Sequence, residues 1–279
     1  MILLNGKALA EELYTELCNE YKDRSDCKLI ILTVGNDPAS KVYVRNKMKA
    51  CEKMAIDCEN IIIDENMPEV DFENFLLKTL STQLYDVDSK YYKLGIILQL
   101  PAPEMFVNVF NETIPPYVDV DGFGERNKLS LYEGIEPANY PATPKGIITL
   151  LDRYNIPIEG KHVVIIGRSE IVGKPLAQMM LQRNATVTIC HSKTEHLASI
   201  TRMADILIVA AGKPKFINDT HVKDGVVVID VGINRLEDGS ICGDVDFDRM
   251  HIKCAAITPV PGGVGPMTVY SLIENVIQI

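Results

Sequence analysis

The feature that most restricts how this chain can fold is the regular exchange of two hydrophobic periods along it. Residues 7–24 carry the spacing of an amphipathic helix, and 29–34 form an apolar run of strand length. Helical spacing returns at 39–56, a strand pattern at 59–63, helical spacing at about 69–83 and a strand pattern at 94–98. The alternation restarts with a strand at 163–166, a helix at 172–183 and strands at 186–189, 205–209, 226–231 and 255–257. A last helical segment, 267–277, follows Pro266, a residue suited to a first helical turn. Strands exchanged with helices in this way predict an α/β fold, with parallel sheets covered by helices.

At roughly 100–200 residues per domain, a chain of 279 residues predicts two domains. A Pro-, Gly- and Asn-rich stretch at 115–144 interrupts the alternation and is expected to lie between them. The expected division is residues 1–118, completed by a C-terminal helix at 266–279, and residues 140–265. The acidic balance, 38 Asp+Glu against 28 Lys+Arg, argues against a nucleic-acid binder. It leaves room for a small anionic ligand in a locally basic cleft. The apolar start Met1-Ile2-Leu3-Leu4 is too short for a secretory signal, and no run approaches the ~20 residues of a membrane span. The last helix reaches the end of the chain at Ile279, so no longer C-terminal packing segment is expected. Seven scattered cysteines without a CxxC pair suit free thiols in a reducing cytoplasm better than disulfides or a zinc site, and no metal is expected.

Gly167-Arg168-Ser169-Glu170-Ile171-Val172-Gly173-Lys174-Pro175 lies where a strand turns into a helix. Glycines at such a turn let the backbone approach a pyrophosphate drawn to the helix N-terminus. The spacing is neither G-x-G-x-x-G nor a P-loop, and alone it is compatible with no more than a tight turn. The next strand leads into His191-Ser192-Lys193-Thr194, where an NAD-preferring domain usually places an acid. Hydroxyls and a cation, with Arg168 in the preceding turn, suit the 2′-phosphate of NADP.

In the helix near 39–56, Lys41, Arg45, Lys49 and Lys53 form one stripe, and Val44, Met48, Cys51 and Ala55 are expected to form the core stripe. Lys47 falls on neither; it is expected on a shoulder with Tyr43, its i−4 neighbour. Apolar surroundings disfavour the charged form of an amine, which suits a lysine acting as a base. The plainer alternative is a lysine snorkelling past a tyrosine.

Gln99, in Leu98-Gln99-Leu100-Pro101, ends a buried strand, where α/β sheets collect ligands; it can equally cap a loop. In Asp119-Val120-Asp121-Gly122 the two carboxylates are i,i+2 in an extended segment and face opposite ways, so one can enter a cleft while the other caps a helix. Thr258-Pro259-Val260-Pro261-Gly262-Gly263-Val264-Gly265-Pro266-Met267-Thr268 is a constrained turn into the last helix, or simply a rigid connector.

Together these segments resemble the tetrahydrofolate dehydrogenase/cyclohydrolase family. The likeness rests on Tyr43-Val44-Arg45-Asn46-Lys47, Gln99-Leu100-Pro101, Asp119-Val120-Asp121-Gly122, Pro141-Ala142-Thr143-Pro144-Lys145-Gly146, the Gly167–Pro175 segment and the Pro261–Thr268 turn, in the family's order. Two departures are visible: Ala142 where Cys is common, and Val118 where Lys often stands. The resemblance implies an N-terminal α/β folate-binding catalytic domain, a Rossmann-like NADP-binding domain and a cleft between them. It implies Lys47 as the catalytic lysine, Gln99 tuning its protonation, Asp121 anchoring the pterin and Tyr43 stacking on the folate ring. Pro261 and Gly262 would lie beside the folate; Gly167, Arg168, Ser169, Ser192 and Ile233 would line the NADP site. The implied partners are tetrahydrofolate derivatives, NADP and a second copy in a homodimer, with no nucleic acid or membrane. The implied reactions are oxidation of 5,10-methylenetetrahydrofolate and hydrolysis of the methenyl product to 10-formyltetrahydrofolate. A monofunctional dehydrogenase and a non-enzymatic dinucleotide sensor are the alternatives. A sensor would need the NADP turn but not a lysine with a Gln and an Asp.

Overall fold

The computed structural model describes residues 1–22, 24, 26–84, 93–250 and 252–279. In chain order the first elements are β1 (Ile2–Leu3), α1 (Gly6–Glu20), β2 (Cys27–Val34), α2 (Pro38–Lys53), β3 (Asp57–Ile63), α3 (Glu69–Leu84), β4 (Lys93–Gln99), α4 (Glu104–Thr113) and α5 (Glu125–Glu133). Then follow α6 (Ala142–Arg153), β5 (His162–Ile166), α7 (Gly173–Gln182), β6 (Thr186–Cys190), α8 (Leu197–Thr201), β7 (Ile206–Val209) and β8 (Val227–Asp230). The short β9 (Asn234–Arg235), β10 (Ile241–Cys242), α9 (Phe247–Met250) and β11 (Ala256–Ile257) precede α10 (Val264–Gln278). Two compact units result. One comprises Met1–Glu12 and Thr143–Thr268; the other comprises Leu13–Ala142 and Val269–Ile279.

The unit of Leu13–Ala142 and Val269–Ile279 is built on a parallel sheet in the order β3-β2-β4. All eight residues of the central strand β2 are buried, as an apolar run between two neighbouring strands requires. Even Lys28 is buried there, its amine 3.3 Å from Glu59 on β3. Under the sheet, Phe72 and Leu76 of α3 meet Phe106 and Phe110 of α4. Phe72 and Phe106 pack edge to face with centroids 4.9 Å apart. Gly95 on β4 lets Val120 approach closely; a Cβ there would lie 2.8 Å from a Val120 methyl.

The unit of Met1–Glu12 and Thr143–Thr268 holds a six-stranded parallel sheet in the order β1-β11-β8-β7-β5-β6. Val164, Leu207 and Val228 share one core cluster there, each fully buried. Parallel strands joined by helices around this order make a Rossmann-like fold.

Five helices lie outside the helical spacing read from the sequence: α4, α5, α6 and the short α8 and α9. In α4, Phe106, Val109 and Phe110 have helical spacing, but Pro101 and Pro103 immediately upstream read as loop. In α6, Pro144 and Gly146 mask the pattern of Ile147, Leu150 and Leu151. Gly146 serves packing: a Cβ there would come within 2.9 Å of the Met267 backbone. Nor is the Pro- and Gly-rich stretch bare loop. It carries α5, and Val118, Asp119 and Val120 in it are fully buried.

Candidate active site

Asp37 caps α2 by accepting from the Ser40 amide and hydroxyl, both at 2.8 Å. The helix that follows buries Ser40, Val44, Lys47, Cys51 and Met54, a stripe at i, i+4, i+7, i+11 and i+14. This corrects the expected core stripe: Met48 is 38% exposed, and Lys47, expected on a shoulder, is 8% exposed. An amine is tolerated there because partners reach it. Lys47 Nζ donates to Gln99 Oε1 at 3.1 Å and lies 3.8 Å from Asp121 Oδ2. Gln99 sits at the C-terminal end of β4, and its Nε2 donates to the Leu100 carbonyl at 2.8 Å. That bond turns the amide oxygen toward the lysine. Tyr43, one turn earlier on α2, is 41% exposed.

The two aspartates have separate roles, as expected, but the segment is a turn and not the extended stretch assumed: the Gly122 amide donates to the Asp119 carbonyl at 3.2 Å. Asp119 is fully buried and accepts from the amides of Gly122 (3.1 Å) and Gly124 (2.7 Å) and from Asn127 Nδ2 (2.9 Å), holding the start of α5. Burial pushes its carboxyl above the usual range, and the donors from Gly124 and Asn127 oppose that shift. Asp121 has no hydrogen bond to its carboxylate among the described residues; its one contact there is the 3.8 Å ion pair with Lys47. A half-buried carboxylate with unused acceptor capacity, beside an amine, is suited to paired N–H donors of a ligand.

In the other unit, Gly167 follows β5 with φ +130° and donates its amide to the Cys190 carbonyl at 2.9 Å. A Cβ on Gly167 would lie 2.3 Å from the Ala210 oxygen, so only glycine fits. The bond to Cys190 sets the Arg168 turn beside the loop after β6, where the His191 amide donates to Thr194 Oγ1 at 2.8 Å. Ser169 Oγ accepts from the Val172 amide at 3.2 Å at the start of α7. Arg168 and Ser192 are exposed, and Arg168 has no ion pair among the described residues. Ile233 is 47% exposed, with its Cδ1 3.9 Å from where a Gly265 Cβ would stand. The Gly262 carbonyl accepts from the Lys7 amide at 2.9 Å, and Pro261 beside it is exposed.

Two family models cover the chain. One, described as the catalytic domain of tetrahydrofolate dehydrogenase/cyclohydrolase, matches residues 4–121; the other, its NAD(P)-binding domain, matches 141–279. This chain belongs to the tetrahydrofolate dehydrogenase/cyclohydrolase family. It is 44% identical to a bifunctional protein FolD of Streptococcus thermophilus over 99% of this chain and 96% of that one. It is 47% identical to the FolD protein of Halalkalibacterium halodurans, over 99% and 98%. The solved structure of the bifunctional FolD enzyme of Campylobacter jejuni superposes with a TM-score of 0.92 at 43% identity, covering 99% of this chain and 97% of that one. A Trypanosoma brucei FolD structure complexed with NADP and inhibitor gives 0.86 at 31%, over 99% and 96%.

Within this family member, the structure gathers Lys47, Gln99 and Asp121 at one point, and Gly167, Arg168, Ser169 and the Ser192 loop at another. Sequence reasoning missed the buried carboxylates that hold the loops after β7 and β8. Asp244 is fully buried and accepts from the amides of Ala211, Gly212 and Lys213 and from Asn234 Nδ2, at 2.6–2.8 Å. Asp230 accepts from the amides of Gly232, Asp244 and Val245. Burial pushes Asp230 up to about 6 against those donors. An aspartate inside an apolar strand pattern, as Asp230 is at 226–231, was the available signal.

Proposed function

We propose that this chain oxidises 5,10-methylenetetrahydrofolate with NADP⁺ and hydrolyses the methenyl product to 10-formyltetrahydrofolate. The observation that carries the reading is Lys47, buried and held between Gln99 and Asp121, in a member of a dehydrogenase/cyclohydrolase family. The dinucleotide, when bound, accepts the hydride. Gly167, Arg168, Ser169, Ser192 and Ile233 would hold it. The fit rests on the glycine-only turn beside an exposed, unpaired Arg168 and a His191–Thr194 loop without an acid.

Asp121 accepts the paired N–H groups of the pterin, and Tyr43 lies along its ring. Hydride loss is assisted by the substrate's own nitrogen lone pair, so the protein's task in that step is orientation. In the second step water adds to the methenyl carbon, a C–N bond of the ring opens, and one proton is released. Lys47 Nζ serves that proton transfer, with Gln99 and Asp121 holding it in place. The enzyme acts as a homodimer in the cytoplasm, a reading supported by the family and by seven cysteines outside any disulfide. No helix among the described residues is long and apolar enough to cross a membrane.

One spectrophotometric assay tests the function. NADPH should form from methylenetetrahydrofolate, and the methenyl absorbance should then decay. A methenyl product that persists at its uncatalysed rate would leave only a dehydrogenase. Cofactor choice is tested at Arg168. Arg168→Ala is expected to weaken NADP binding roughly tenfold, the loss of a charge-assisted contact, and to change NAD binding little. Equal losses for both dinucleotides in titration would remove Arg168 from the 2′-phosphate.

A further inference from the structure

The face of α2 turned away from Tyr43 borders a second cavity, of about 650 Å³, which the reactions above do not use. At ~100° per residue, Arg45 stands on the far side of the helix from Tyr43 and Lys47. Lys41, Arg45 and Lys49 line this cavity from one side, and the side chain of none has an ion pair or hydrogen bond among the described residues. Its floor is mostly apolar: Val44 and Met48 of α2, Ile56, and Ile62 of the edge strand β3, the last 65% exposed. The neutral Thr33 and Asn60 in the lining are hydrogen-bonded to each other at 2.8 Å, and Asn36 adds a third neutral polar group. Glu52 is the acid on the same helix face; Asp37, at the far end, is engaged in capping Ser40. Cys58 of β3 stands half-buried in the wall.

The size is that of a small-molecule pocket. Three cations whose side chains have no partner among the described residues converge over a mostly apolar floor that a solvated ion would not need. A polar or empty surface would be expected to spread such charges or pair them with neighbouring acids. We propose that this cavity is a second ligand site, which takes a small organic anion with an apolar body. The anionic group meets Arg45 and the two lysines, and the body rests on Met48, Val44 and Ile62. The site lies within one unit and is separate from the Lys47 constellation.

The probe is 8-anilinonaphthalene-1-sulfonate, compared with the uncharged N-phenyl-1-naphthylamine, on protein saturated with NADP⁺ so that the dinucleotide site is filled. The sulfonate is expected to bind at one saturable site, and the uncharged probe much more weakly. Arg45→Glu/Lys49→Glu is expected to weaken the sulfonate roughly tenfold or more, as loss of charge-assisted contacts implies. Met48→Lys, which spoils the floor and adds a cation, is expected to weaken it too. The neighbouring Cys51 thiol holds the Cys58 thiol below its ordinary range, and Cys58 lies in the cavity wall, so iodoacetamide labelling of Cys58 is a local reporter. Bound sulfonate should slow labelling at Cys58 and leave Cys242 unchanged. Dehydrogenase activity of the charge-reversed variant should stay at the parent level, which shows that it folds. Sulfonate binding that ignores the charge reversal, equal binding of the uncharged probe, or unchanged Cys58 labelling would each overturn the proposal.

Discussion

Lys47→Met is expected to nearly abolish ring opening while hydride transfer continues. Methionine preserves the length and apolar packing of the stem in a site only 8% exposed, and removes the amine that Gln99 and Asp121 surround. Oxidation of the methylene carbon draws on the substrate's nitrogen lone pair and needs no side-chain base. Hydrolysis needs a proton acceptor or donor close to the bridging carbon. General acid–base groups contribute about 10²–10⁴-fold, so the two rates should separate by at least that lower figure. The measurement is both rates on one purified sample, with methenyltetrahydrofolate accumulating during turnover. A parallel fall in both would make Lys47 a positioning residue for the folate. No fall in either would make it a lysine buried without catalytic consequence.

The second large effect is a dissociation between two aspartates two residues apart. Asp121→Ala removes a carboxylate that accepts no hydrogen bond among the described residues and pairs with Lys47 at 3.8 Å, so folding should suffer less than in Asp119→Ala. Folate affinity should fall roughly tenfold or more, since a charge-assisted bond contributes about 1.5–3 kcal/mol, and both activities should suffer. Asp119→Ala should do the reverse. It leaves the Gly124 amide and one N–H of Asn127 Nδ2 without an acceptor in a fully buried setting, the other N–H keeping the Pro116 carbonyl at 2.9 Å. Each orphaned donor costs about 1–3 kcal/mol, but burial also disfavours the Asp119 charge, so the net loss is about 2–4 kcal/mol. Urea denaturation monitored on this unit, together with folate titration at a temperature where both variants are folded, separates the two outcomes. If Asp119→Ala lost folate affinity while keeping its denaturation midpoint, the assigned directions of the two carboxylates would be reversed.

The parts of this protein legible in one sequence are those that depend on local spacing. The exchange of strand-length apolar runs with helical spacing predicts parallel α/β units, and the three- and six-stranded sheets are parallel, β9 and β10 forming a small antiparallel pair apart from them. The separate roles of Asp119 and Asp121 were expected from an extended segment, but it is a turn that separates them: the Gly122 amide closes it onto the Asp119 carbonyl at 3.2 Å. The Gly167 turn is legible because positive φ leaves few residue choices. What the sequence could not order was the rotation of α2. Hydrophobicity placed Met48 inward and Lys47 at the edge, and the fold does the opposite. The reason lies outside the helix. The acceptor for Lys47 is on a strand 52 residues away, and its ion-pair partner is in a loop beyond that strand. The same holds for Asp244, which gathers donors from residues 31–33 positions earlier in the chain. Local spacing determined which elements form. Only the tertiary structure decided which polar groups go inside, because a buried charge is tolerated where distant residues bring it partners, and no local pattern records where they come from.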